Sequence, residues 1–342
     1  MKTIKVLVVD DSLLFREVLQ KGLQSFDDIE IIGTAIDPFQ AKEKIIKLKP
    51  DVITLDVEMP RMDGIKFLSK LLPQYPVPVI VVSSLKESVF EAMDAGAIDF
   101  IPKPEEQDVE QSPFLRELVE KIRVASKVKL ALRRTAGETI DLQVEGFKGV
   151  VDPTSIIAIG ASTGGTEAIY SLITKYNSNM PGIVIVQHMP AGFTELYAQR
   201  LNSASQINVK EAVDGDKVEP GKAFIAPGDK HMKIINSGMG YIIRLDNSQK
   251  VCGHRPSVDV LFSSVAESAK EKGIGVILTG MGNDGAAGLK RMRDFGGYTI
   301  GQDERSSVVY GMPMAAYLMG AVMVQLPLYR IPDEILRKLS QG

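Results

Sequence analysis

Two groups of residues could do chemistry, and each member falls just after an apolar run. The first group is acidic. Asp10 and Asp11 follow the run 4–9, and Asp56 follows 52–55 in the stretch Leu55-Asp56-Val57-Glu58. Ser83 follows 79–82, and Lys103 closes Phe100-Ile101-Pro102-Lys103. Three carboxylates meeting in one crevice repel one another unless a cation lies between them, and hard oxygen ligands suit Mg²⁺. Carboxylates, a metal, a hydroxyl and an ammonium together make a phosphoryl-accepting site. Asp56 would attack phosphorus as a carboxylate nucleophile, while Mg²⁺ and Lys103 offset the charge on the transferring group. Taken singly, Asp10-Asp11 reads as a helix N-cap pair and Lys103 as a surface lysine. The order of all five along successive strand ends is what argues for a site.

The second group is a serine, a histidine and an aspartate. Ser162 lies in Gly160-Ala161-Ser162-Thr163-Gly164-Gly165-Thr166, after the run 156–159. A strand, a glycine-rich turn and a helix start form an anion site. Two chemistries compete there. One is a phosphate or dinucleotide loop. The other is a nucleophile elbow with Ser162 exposed and the Thr163 N–H binding an oxyanion. The spacing is not G-x-G-x-x-G, and no P-loop lysine is present. His188, in Gln187-His188-Met189-Pro190, ends the next strand, where a general base would stand. Asp284, in Gly280-Met281-Gly282-Asn283-Asp284-Gly285, follows a further apolar run and would hold the imidazole tautomer. The plainer alternatives are a satisfied core histidine and a helix N-cap. His231, in Gly228-Asp229-Lys230-His231, is expected in a turn-like surface segment. Cys252 and His254 are too close in sequence for the usual catalytic pair, and a lone cysteine is usually a small buried hydrophobe. No His/Cys/Asp spacing suggests zinc.

These residues need strands to carry them, and the chain supplies two β/α series. The first alternates strands at 4–9, 29–34, 52–55, 79–82 and 99–101 with helices at 12–25, 38–48, 64–72, 87–95 and 113–134. This predicts an α/β fold: an N-terminal doubly wound parallel sheet of flavodoxin-like type. The second has strands at 156–159, 183–187, 221–226, 274–278, 298–300 and 322–325, predicting another α/β domain with a mostly parallel sheet. Between them the rhythm stops, and Lys127, Lys129, Arg133 and Arg134 form a basic run. The expected division is 1–123, a linker 124–152, and 153–342. The chain has 342 residues, a formal charge of −3 and one cysteine. An intrachain disulfide is excluded, a reducing, cytoplasmic setting fits, and no basic excess asks for nucleic acid. The first apolar run is too short for a signal peptide or a membrane span.

The stretch 2–123 closely resembles the receiver domain of two-component response regulators. The resemblance implies phosphorylation on Asp56, with Asp11 as a direct and Asp10 as an indirect Mg²⁺ ligand and the Glu58 carbonyl completing the set. Ser83 becomes the switch hydroxyl. The family's switch aromatic falls on Phe100, which lacks a tyrosine's hydroxyl. The region 153–339 resembles the chemotaxis protein-glutamate methylesterase family, through 160–165, 187–190, 254–259, 279–285 and 301–313. The resemblance implies catalytic Ser162, His188 and Asp284, with the Met281 N–H helping to bind the oxyanion, and no cofactor for the ester reaction. It implies hydrolysis of glutamyl methyl esters on chemotaxis receptors, deamidation of receptor glutamines, and a histidine kinase as phosphodonor. It also implies a receiver that covers the active-site entrance until phosphorylated, with the mostly apolar 90–100 region as its expected docking face. Rival expectations are a DNA-binding response regulator, against which the absence of a helix-turn-helix pattern argues, and a nucleotide-binding module.

Overall fold

The computed structural model describes residues 3–59, 63–104, 113–128, 149, 152–238 and 240–341. The chain divides into two compact units, residues 1–141 and 142–342. In the first, β1 (Ile4–Val9), β2 (Ile29–Ala35), β3 (Val52–Leu55), β4 (Val79–Ser83) and β5 (Asp99–Pro102) alternate with five helices. These are α1 (Leu13–Leu23), α2 (Pro38–Leu48), α3 (Gly64–Leu71), α4 (Lys86–Asp94) and α5 (Pro113–Ala125). The sheet order is β2-β1-β3-β4-β5, with every pairing parallel. Helices on both faces bury β3 and β4 completely and β1 from Val6 onward, which is why these strands are written as largely apolar runs.

Local chemistry fixes the helix starts. Ser12, Asp37 and Asp63 each accept a backbone N–H from the first turn of α1, α2 and α3. The cap of α1 is therefore Ser12, which leaves Asp10 and Asp11 outside the capping role. Helix α5 ends at Ala125, earlier than the expected 134. At its end the bonds tighten: Lys127 and Val128 donate to Val124 and Ala125, three residues back, and the α-helical ladder stops. Of the basic run, Lys129, Arg133 and Arg134 lie outside the described residues.

The second unit has a seven-stranded sheet of β6 (Ile156–Ala161), β7 (Gly182–Gln187), β8 (Asn208–Glu211), β10 (Lys222–Ile225), β13 (Gly273–Ile277), β14 (Tyr298–Gln302) and β15 (Val324–Leu326). Its order is β15-β14-β13-β6-β7-β10-β8, wholly parallel. Helices α6 (Gly165–Ile173), α7 (Phe193–Ala204), α8 (Val258–Ala269), α9 (Ala286–Asp294), α10 (Met312–Leu318) and α11 (Ile331–Leu339) accompany it. A separate antiparallel sheet, β11-β12-β9, joins β9 (Lys217–Val218), β11 (His231–Asn236) and β12 (Tyr241–Asp246). No pattern in the sequence predicts this sheet. Its apolar face, Met232, Ile234 and Ile243, shares one core with Phe262 and Val265 of α8. The open edge of β11 is closed by serines of α8: Ser264 Oγ accepts from the Ile234 N–H, and Ser268 Oγ donates to the Ile234 carbonyl. An edge satisfied in this way offers no template for another strand.

Candidate functional site

In the first unit the strand ends bring the expected residues together. Asp10 and Asp56 are buried, and carboxylate oxygens of Asp10, Asp11 and Asp56 lie within 4.8 Å of one another. Lys103 reaches across, with Nζ 2.7 Å from Asp10 Oδ2 and 2.6 Å from Asp56 Oδ2. Burial pushes the Asp56 carboxyl up to about 6, against the pull of Lys103, and the charge of Asp10 adds to the rise. Burial works against the Lys103 ammonium, but its bonds to Asp10 and Asp56 overcome this and raise it. The crevice is thus an all-oxygen donor set carrying more negative charge than one ammonium neutralises. Its chemistry fits a hard divalent cation such as Mg²⁺. Ser83 is fully buried, and its Oγ accepts the Leu85 N–H at 3.1 Å. The Glu58 N–H donates to Asp56 Oδ1 at 3.0 Å. Phe100 is buried edge-on against Phe90, ring centroids 6.3 Å apart. Within 90–100 the aromatic side chains are buried, and the exposed positions are Glu91 and Asp94.

In the second unit the site is built on the middle of the sheet. Ala161 and Gln187 are paired neighbours on β6 and β7, so Ser162 and His188 leave adjacent strands side by side. The loop after β13 returns on the other flank, where the Ser162 N–H donates to the Thr279 carbonyl at 3.0 Å. Gly280 is required there. A Cβ at that position would stand 2.8 Å from Ser162 Cβ and would strike Met312 Sδ. Gln187, buried, spans the two catalytic candidates: its Nε2 donates to the carbonyls of both Ser162 and His188, at 2.9 and 3.2 Å. Two carbonyl acceptors fix which way that amide faces.

His188 Nε2 lies 2.8 Å from Asp284 Oδ2. A carboxylate there selects the Nε2–H tautomer and leaves the lone pair on Nδ1. That Nδ1 is buried and has no hydrogen-bond partner. Among the described residues no hydrogen bond joins it to Ser162 Oγ. Serine–base bonds are often loose before substrate arrives. The imidazole of His254 stacks on that of His188, centroids 3.7 Å apart and planes 12° from parallel, covering one face of that ring.

Asp284 is held by four donors. The Ser257 hydroxyl (2.7 Å) and the Asp259 N–H (3.0 Å) reach Oδ1; the Val258 N–H (2.7 Å) and His188 reach Oδ2. Two of these are first-turn amides of α8, so the carboxylate sits on a helix N-terminus. Burial raises the carboxyl, but the bond and charge of His188, with Asp259 N–H and Ser257 hydroxyl, outweigh it and hold Asp284 below its ordinary value. The alternative of Asp284 as a cap of α9 is not what the structure has: Gly285 precedes that helix without a side-chain cap. His231 is fully buried, contrary to the expected surface turn, because β11 draws it under α8. Its Nδ1 accepts the Ser257 N–H at 3.2 Å, and Nε2 meets the Gln249 carbonyl at 3.0 Å. Ser257 also caps α8, its Oγ accepting the Val260 N–H. Cys252 is exposed, and its thiol is pushed up to about 11 by burial and the charges of Asp284 and Asp259, the reverse of an activated nucleophile. Cys252, Asp259 and Asp284 also cluster within 4.8 Å, but the four donors already fill both oxygens of Asp284. Among the described residues, the Met281 N–H has no internal acceptor. Thr163, the residue after Ser162, is buried and gives its carbonyl to the Thr279 hydroxyl at 2.9 Å.

An acidic acceptor crevice in one unit and a serine, histidine and aspartate layout in the other define a class, a receiver-linked α/β hydrolase. Comparison with known proteins narrows it. Residues 6–112 match the response regulator receiver domain family, and residues 157–335 match the CheB methylesterase family. The chain is 51% identical to a protein-glutamate methylesterase/protein-glutamine glutaminase of Syntrophomonas wolfei, covering all of this chain and 99% of that one. It is 47% identical to the protein of the same description from Syntrophotalea carbinolica, covering 99% of each. The second unit is similar to the crystal structure of the Thermotoga maritima CheB methylesterase catalytic domain: TM-score 0.53, 42% identity, covering 54% of this chain and 98% of that one. The chain belongs to the CheB methylesterase family, with a response regulator receiver domain in front of the catalytic domain. Among the described residues, no helix is long and apolar enough to cross a membrane.

Proposed function

We propose that Ser162, His188 and Asp284 carry the protein-glutamate methylesterase and protein-glutamine glutaminase activity of this chain. The observation that carries the proposal is the His188–Asp284 pair, which leaves a buried, partnerless Nδ1 at the strand end beside Ser162. Ser162 Oγ attacks the γ-carbonyl carbon of a glutamyl methyl ester and gives its proton to His188 Nδ1. The oxyanion takes the N–H groups of Met281 and Thr163. The C–O bond to methoxide breaks, and methanol leaves with the proton from Nδ1. Water then attacks the glutamyl-enzyme, loses a proton to Nδ1, and frees Ser162 and a glutamate carboxylate. A glutamine side chain follows the same route and releases ammonia. Asp284 stabilises the imidazolium formed in each half.

In the receiver, Asp56 accepts the phosphoryl group from a chemotaxis histidine kinase. Asp10, Asp11, Asp56 and the Glu58 carbonyl are the residues that would hold Mg²⁺, which supplies charge neutralisation to the transferring group. Lys103 adds a second cation, Ser83 closes on the phosphoryl oxygen, and Phe100 fills the core beneath. Phosphorylation then shifts the population of conformers towards the active one. The substrates are methyl-accepting chemotaxis receptors, the setting is cytoplasmic, and residues 124–152 form the linker. The test is methanol release from methylated receptor cytoplasmic domain, with and without a small-molecule phosphodonor and Mg²⁺. Wild type releases methanol faster with phosphodonor, Asp56→Asn loses that stimulation, and Ser162→Ala releases none. Undiminished release by Ser162→Ala would overturn the assignment.

A further inference from the structure

The catalytic unit keeps its exposed apolar surface in one place. Of eleven large apolar side chains exposed among its described residues, eight are Met281 or lie within 308–329. Leu318 is 75% exposed and Met281 40%. Residues 306–329 contain no charged side chain. At the chain's own 24% charged content, a stretch of that length would carry about six. An uncharged, exposed, apolar surface of this kind marks an interaction site.

This surface is rooted in the catalytic loop. The N–H groups of Gly311 and Met312 both donate to the Gly280 carbonyl, at 3.1 and 2.8 Å. The Val309 N–H donates to Thr279 Oγ1 at 2.9 Å, and Val308 packs where a side chain on Gly164 would go. From there α10 buries Met312, Pro313 and Ala316 and turns Met314, Tyr317 and Leu318 outward, followed by Met319 and Met323. The start of α10 is therefore tied directly to the loop that carries Met281 and flanks Ser162.

We infer that the exposed face of α10, with Met281, Met319 and Met323, is the docking surface for the substrate polypeptide on either side of the modified glutamyl residue. The inference rests on the assignment of Ser162 as nucleophile. A glutamyl side chain is short, so reaching Ser162 brings its parent backbone down onto the surface around the mouth. The surface that meets it here is mainly apolar, with the exposed Arg293 guanidinium bonded to the Gly320 carbonyl at its edge, and so favours an apolar face on the substrate. Four methionines adapt to different side chains without a fixed shape. That suits an enzyme that must accept more than one sequence around its target.

The experiment compares two substrates with the full chain and Mg²⁺, with and without phosphodonor. One is methylated receptor cytoplasmic domain; the other is the γ-methyl ester of N-acetylglutamate N-methylamide, which has no flanking polypeptide. The measured quantity is the ratio of kcat/KM on the protein to kcat/KM on the small ester. For Leu318→Glu the ratio falls about tenfold or more, through KM on the protein, and for Met314→Gln it falls in the same direction by less. Both positions are exposed, so thermal unfolding stays close to wild type. A ratio within twofold of wild type for both variants would overturn the inference. So would a rise in release without phosphodonor on both substrates, which would make the receiver the occupant of this face. Failure of the nucleophile assignment looks different: Ser162→Ala would then hydrolyse the small ester like wild type.

Discussion

Asp56 and Asp284 are both buried carboxylates just beyond strands of a parallel sheet, and their surroundings push them in opposite directions. Asp56 shares its crevice with Asp10 and Asp11 and is raised to about 6, with Lys103 only partly compensating. Asp284 also has a carboxylate neighbour, Asp259, within 4.8 Å, but it is held by two helix amides, a hydroxyl and an imidazole, which keep it below its ordinary value. A carboxylate kept short of donors is ready to gain a cation or a phosphoryl group. A carboxylate saturated with donors stays charged and still, which is what orienting a base requires. Burial is common to both; the number of donors decides the role.

The sharpest way to break this contrast is to remove the charge on the saturated side. Asp284→Asn should cost about 10⁴ in turnover if the fold holds, because an amide selects the wrong tautomer. Near wild-type methanol release would remove Asp284 from the mechanism. Next in size is the strut between the two catalytic strand ends. Gln187→Leu deletes both carbonyl contacts at little change in volume and should lower kcat about 10- to 100-fold, the scale of a small misplacement. KM stays within about twofold, and a steady-state kcat against KM comparison checks it.

On the receiver side, a proton and Mg²⁺ compete for Asp56. Titration calorimetry should show Mg²⁺ affinity rising as pH goes from 5 towards 7, by up to about tenfold per unit below 6 and levelling above it. A flat profile would mean that Asp56 is already ionised throughout. A separate effect is on stability, and its sign differs between the units. Asp56 is raised from 3.8 to about 6. Between those values the folded receiver holds a proton that the unfolded chain releases. Without a cation, stability therefore falls as pH rises through that window, by roughly 3 kcal/mol. Asp284 is depressed, so its contribution is present above the unfolded value of about 4 and is lost as pH falls through the lower folded one. Hydrogen exchange on peptides from each unit between pH 4 and 7 should show the receiver loosening with rising pH while the catalytic unit does not.

Residues that announce themselves by type and place were legible in advance. Asp10, Asp11, Asp56, Ser83 and Lys103 follow apolar runs in strand order, and so do Ser162, His188 and Asp284. The parallel sheets were legible, apart from the edge strand β8, because strands buried on both faces are unbroken apolar runs; β8 is polar at three of its four positions. The antiparallel sheet was not: β9 has two residues, and β11 and β12 mix polar and apolar positions that gain meaning only once α8 covers one side. For the same reason His231 read as surface. The roles of Gln187 and Ser257 were hidden because each reaches a partner 25 or more residues away. The run beyond Ala125 looked helical because nothing in its side chains marks the point where the bonding tightens.

The orientation of the His188 ring has a consequence for spectroscopy and for motion. With Nε2 committed to Asp284, the low-field imidazole proton of the enzyme belongs to Hε2, and nitrogen-edited spectra of the labelled protein would correlate it with that nitrogen. The lone pair is left on Nδ1, the ring nitrogen nearer the main chain. A base on such a short lever follows the end of β7 more closely than its own side-chain rotation, so its positional noise is that of a central strand of the sheet.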